Sequence, residues 1–76
     1  MKKYAIVVER GPNKPNNMSA YVPDLPGCIT TGKTVEEIMH NIREAIGLHL
    51  EGMAEDGEAI PEPSSLALEI EVPIAA

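Results

Sequence analysis

The sequence contains no tryptophan and no phenylalanine, and its only aromatic side chains are Tyr4 and Tyr21. Proteins that hold single-stranded nucleic acid stack bases on aromatic rings, and two tyrosines leave almost nothing for that purpose. Cations are scarce too: six Lys and Arg stand against twelve Asp and Glu, a formal net charge of -6. Phosphate backbones are repelled by such a chain, whereas a basic protein is attracted to it and meets it faster. A lone cysteine, Cys28, cannot close an internal disulfide, which fits a reducing compartment. Its only cationic neighbour in sequence is Lys33, so it reads as a buried structural thiol rather than a nucleophile. Two histidines, His40 and His49, stand nine positions apart on opposite sides of a helical wheel and cannot chelate one ion within a subunit. Long apolar runs are missing: Tyr4 to Val8 is interrupted by Glu9 and Arg10, which argues against a signal peptide or membrane span and for a cytoplasmic protein.

What remains is a chain of 76 residues, read as one domain over 1–76. Chains this short bury only about 60% of the surface they expose when unfolded, so a homo-oligomer, dimer or tetramer, is expected. Tyr4 to Val8 is apolar at every position and predicts a first strand; Arg10 to Asn17, with Pro12 and Pro15, predicts a loop. A second strand over 18–22 and a third over 28–31 flank Asp24-Leu25-Pro26-Gly27. There Pro26 suits the second position of a β-turn and Gly27 the positive φ of the third. Thr34-Val35-Glu36-Glu37 is a capping box, with Thr34 as N-cap and Glu37 reaching back. From Val35 onward, apolar residues at 35, 38, 39, 42, 46, 50 and 53 form one helical face that ends at Asp56-Gly57. Leu66 to Val72 alternates Leu, Leu, Ile and Val with Glu69 and Glu71 on the other side, and predicts a fourth strand. The order β-β-β-α-β describes an α+β domain, an antiparallel sheet under one long helix. The fourth strand either joins the same sheet at an edge or pairs with another subunit.

A metal-dependent nuclease could be imagined from Asp24 with Glu9 or Glu36, but two-metal chemistry needs carboxylates that converge, and this spacing specifies no convergence. No cofactor or metal is predicted. His40, with Glu36 and Glu44 one turn away on either side, reads as a surface pairing. Leu48 stands out because it falls on the polar side of the helix among Glu37, Asn41, Glu44, Glu51 and Glu55. One apolar residue in an acidic helix face is the pattern of a contact surface for a basic partner. Glu44, Leu48, Glu51 and Glu55 are therefore the candidate partner-binding residues, and Asp24, Pro26, Gly27, Thr34 and Glu37 the structural ones.

The run Tyr21-Val22-Pro23-Asp24-Leu25-Pro26-Gly27-Cys28, then Thr31 to Glu37, then Asn41-Ile42-Arg43-Glu44-Ala45-Ile46, resembles the HicB-type antitoxins, and the similarity extends from Tyr4 to about Val72. The resemblance implies a reduced ribonuclease H-like domain without that enzyme's carboxylate cluster. It also implies a partner of the HicA type, a small basic messenger-cleaving ribonuclease that the antitoxin covers. Inhibition would then be a binding act, and the chain not an enzyme. Many members of that family continue into a DNA-binding segment, whereas this chain ends at Pro73-Ile74-Ala75-Ala76, so neither a DNA-reading element nor direct nucleic acid binding is expected. The competing readings are an orphan self-assembling domain with another protein client and, behind it, the small nuclease.

Overall fold

The tight loop between the second and third strands organises the domain. The computed structural model of the chain describes residues 1–75, and of Lys14 and Pro15 the backbone alone. Two β-turns follow one another in the loop: the Leu25 amide donates to the Val22 carbonyl at 3.0 Å, and the Cys28 amide donates to the Leu25 carbonyl at 3.0 Å. The second is the expected turn, with Gly27 at φ +86°. A further bond from the Val22 amide to the Cys28 carbonyl, 3.1 Å, closes the loop at its base and turns Leu25 inward, where it is fully buried.

The strands it joins belong to one antiparallel sheet of order β1-β2-β3, with β1 Val7–Gly11, β2 Lys14–Tyr21 and β3 Ile29–Gly32. The first strand thus begins three residues later than its apolar run. Val7 is paired with Tyr21, and at Val22 the β2 chain turns into the loop, so Tyr4 to Ile6 run past the end of their neighbour. The second strand starts much earlier than Met18. The ladder register shifts between Arg10 and Gly11, an irregularity of the kind that accommodates a proline without a ladder donor. The pairing of Gly11 with Lys14 beyond that irregularity reduces the expected loop to a short turn at Pro12 and Asn13.

The helix α1, Val35–Glu55, follows the expectation closely. The Glu37 amide donates to the Thr34 hydroxyl at 3.1 Å, which is half of the capping box; among the described residues the return bond, from the Thr34 amide to the Glu37 carboxylate, is not made. Its other end is a Schellman motif: the Glu58 amide donates to the Met53 carbonyl at 2.9 Å and the Gly57 amide to the Ala54 carbonyl at 3.2 Å, with Gly57 at φ +72°. Ile38 and Ile42 are buried, Ala45, Ile46, Leu50 and Met53 pack beside them, and Val35 and Met39 sit on the exposed rim. Against them lie Met18, Ala20 and Val22 of the sheet side, with Leu25 and Cys28 of the loop. The helix rests on β3 and β2 and does not reach β1. It is not apolar enough to cross a membrane, and the same holds for every helix among the described residues.

The fourth strand is where chain and expectation part. Leu66 to Val72 forms no ladder with its own sheet, and Leu66, Leu68, Ile70 and Val72 are 80%, 79%, 84% and 66% exposed. The physical reason lies upstream, where residues 61–65 are fastened to the end of the sheet. Tyr4 donates its hydroxyl to the Pro61 carbonyl at 2.6 Å, Lys2 pairs with Glu62, and Asp24 holds Ser64 and Ser65. Ala76 lies outside the described residues.

Candidate functional site

The four candidate contact residues lie on the exposed side of α1. Leu48 is 67% exposed, and Glu44, Glu51 and Glu55 are exposed with it. Helical geometry places them there: Glu44, Glu51 and Glu55 stand one or two turns from Leu48, while the buried Ile38 and Ile42 lie roughly 80° and 120° round the helix from it. Glu44 is engaged locally, with its Oε2 3.1 Å from His40 Nε2 one turn earlier. Leu48 also borders a shallow hollow shared with Pro26, His49, Gly52, Met53, Asp56 and Glu58. The last turn of α1 carries no basic residue, so the helix C-terminus adds its partial negative charge to these carboxylates. The resulting surface is acidic with an apolar centre.

Asn41 leaves this group. It is half-buried, and its side-chain amide donates to the Thr31 carbonyl at 2.9 Å, which ties the helix to the strand beneath it.

Asp24 is placed against the C-terminal segment. Its Oδ2 accepts the amides of Ser64 at 2.9 Å and Ser65 at 3.1 Å, and its Oδ1 accepts their hydroxyls at 3.0 and 2.7 Å. Chiefly because of the Ser64 amide, and next the Ser65 hydroxyl, the carboxyl is held down from 3.8 to about 2. Both oxygens are thus committed to a structural clasp rather than presented to a metal. The sequence shows Asp24 as a turn residue and gives no sign of this role, because its partners lie 40 and 41 positions away. Pro26, Gly27 and Thr34 occupy the turn and cap positions expected of them, whereas Glu37 serves the cap through its backbone amide and not through its carboxylate. Cys28 is buried, and the burial pushes its thiol pKa up, away from a nucleophilic thiolate.

Sequence reasoning missed a second apolar surface. Val7, Tyr21 and Ile29 are aligned across the three strands, and Ile29 is 69% exposed on the sheet face away from the helix. The signal available was the alternation in β3, where Ile29 and Thr31 face opposite to Thr30 and Gly32.

Residues 4–73 match the model of the HicB_like antitoxin of bacterial toxin-antitoxin system. A UPF0150 protein of Archaeoglobus fulgidus is 43% identical over 60 residues, covering 76% of this chain and 84% of its own length. A UPF0150 protein of Thermoplasma acidophilum is 35% identical over 63 residues, with 83% and 88% covered. An uncharacterised protein of Haemophilus phage HP1 is 46% identical over 52 residues, 68% of this chain, but the match spans only 39% of the phage protein. Among solved structures, a chain of a HicA3 and HicB3 toxin-antitoxin complex superposes with a TM-score of 0.65 at 27% identity, covering 82% of this chain and 69% of that one. With the family match running from the half-buried Tyr4 beyond the end of the apolar alternation at Val72, the chain belongs to the HicB-like antitoxin family.

Proposed function

We propose that this chain is a non-catalytic antitoxin module that neutralises a small basic messenger-cleaving ribonuclease of the HicA type by binding and covering it. The observation that carries the reading is the family match over residues 4–73, and the likeness to a chain from a toxin-antitoxin complex supports it. Net charge and the acidic outer face of α1 agree with a basic client. In this reading Leu48 is the desolvated anchor of the contact, and Glu44, Glu51 and Glu55 form the rim that steers the encounter. The module works in the cytoplasm as a homo-oligomer and makes no direct contact with nucleic acid.

Co-expression tests the proposal. The product of a neighbouring reading frame, if small and basic, should arrest growth alone and be tolerated and co-purified when this chain is produced with it. Growth arrest that persists with this chain abundant and soluble, and no co-purification, contradicts the reading and favours an orphan domain with another client.

A further inference from the structure

The helix side of the sheet has an empty place beside β1. Val8 is paired with the buried Ala20 and so points to the same side, yet Val8 is 40% exposed because α1 does not extend over this edge. Next to it, Tyr4 and Ile6 form the floor and Met39, Ile42 and Ile46 the wall of a groove of about 400 Å³. β1 is an edge strand, so its outer ladder groups have no strand to bond.

The same chain carries an unpaired segment of matching character. Leu66, Leu68, Ile70 and Val72 are exposed, and in sequence they alternate with Ala67, Glu69 and Glu71, so that an extended strand would carry the apolar residues on one side and the glutamates on the other. The chain is elongated as a result: its radius of gyration is 14.7 Å, against roughly 11 Å for a compact domain of this length. Its longest dimension, 53 Å, exceeds the roughly 30 Å that α1 contributes.

We propose that residues 66–72 of one copy add as a fourth strand to the β1 edge of a second copy, and that the exchange is reciprocal, so that the groove under Met39, Ile42 and Ile46 is the seat of a strand-exchanged dimer. Charge argues against the toxin and apolar match argues for the tail: Lys3 and Arg43 line this groove beside Lys2, which is paired with Glu62, and its apolar floor and wall match the Leu66, Leu68, Ile70 and Val72 side of the strand. A basic toxin would be repelled from the same place. Within the single chain the tail does not fill this place, since four hydrogen bonds fix Ser64 and Ser65 by the β2–β3 loop and the exposed segment beyond them leaves the β1 edge uncovered. This rests on the oligomeric part of the proposed function, not on its toxin, and supplies the surface for it.

Sedimentation velocity on the full chain without toxin should give twice 8.2 kDa, and L68D/I70D should give 8.2 kDa with unchanged helical circular dichroism. In a mixed sample of labelled and unlabelled protein, isotope-filtered nuclear Overhauser contacts from Ile70 methyls to Ile6 and Met39 should be intermolecular. A monomeric wild-type chain, a variant that stays dimeric, or contacts found only within one chain overturns the exchange. So does contact of Ile70 with Tyr21 or Ile29 instead, which would place the tail on the open sheet face. Toxin neutralisation is read separately, by growth rescue, so failure of the exchange and failure of the antitoxin reading remain distinct.

Discussion

Asp24 and Ser65 join the two halves of the chain, the Ser65 hydroxyl donating to Asp24 Oδ1 at 2.7 Å across 41 positions of sequence. The contact holds the exit of the C-terminal segment against the loop that also carries Leu25 into the core. It therefore couples the direction of the tail to the integrity of the loop.

This clasp is pH-dependent with a definite sign. The folded carboxyl titrates at about 2 instead of 3.8, so its contribution is complete above about pH 4 and is lost as the pH falls through about 2. Asp24→Ala should melt at a lower temperature than the wild type at pH 6, and the gap should shrink between pH 4 and pH 2. Amide exchange at Ser64 and Ser65 should be faster in the variant at pH 6. A melting difference independent of pH would show that the clasp does not titrate.

Gly27 is required by its backbone and not by its surroundings, because an added Cβ would meet nothing within 4 Å, yet φ is +86°. Gly27→Val should cost about 1 to 3 kcal/mol in denaturant unfolding. Gly27→Asn should cost less, since asparagine tolerates the third position of a type II turn. Equal losses for Val and Asn would contradict the turn assignment.

Gly32 presents the opposite case. A Cβ there would lie 3.1 Å from Ile38 Cγ1 and 3.2 Å from the Ile38 backbone nitrogen, in the first turn of α1. Ile38 is fully buried and its amide donates to the Thr34 carbonyl at 2.9 Å, so neither atom yields easily. Gly32→Ala should destabilise the fold by roughly 1 to 3 kcal/mol, an overpacking cost. Unchanged stability would mean that the helix start can move away from β3.

These cases show what the sequence exposes and what it hides. The helix was legible to within a residue because Thr34, the apolar stripe and Asp56-Gly57 are local signals that agree. The turn at Pro26-Gly27 was legible for the same reason. Strand ends were not: β1 starts at Val7 because β2 turns away at Val22, and such an event depends on a neighbour rather than on the residues of the strand itself. Gly32 and the second role of Asp24 were hidden because their partners are close in space and, for Asp24, distant in sequence. Residues 66–72 carry a strand pattern that the single chain does not satisfy, since pattern records which face is to be buried and not what buries it.

On the outer face of α1, rim charges and anchor should separate kinetically. Glu44→Lys with Glu51→Lys should slow association with the toxin about tenfold or more at low salt and flatten its salt dependence. Leu48→Asp should mainly accelerate release, with the fold intact because Leu48 is 67% exposed. Surface plasmon resonance at two salt concentrations reads both effects. Collapse of the fold in Leu48→Asp would make Leu48 a packing or subunit-contact residue and remove it from the toxin surface.

Inhibition by binding is tested most directly by titrating this chain into a messenger-cleavage assay containing the basic toxin. The account predicts that cleavage falls linearly and ends at a fixed molar ratio, that the chain alone leaves the RNA intact with magnesium or manganese present, and that Asp24→Ala creates or abolishes no cleavage. Undiminished cleavage at excess chain, or metal-dependent cleavage by the chain alone that disappears in Asp24→Ala, would contradict it.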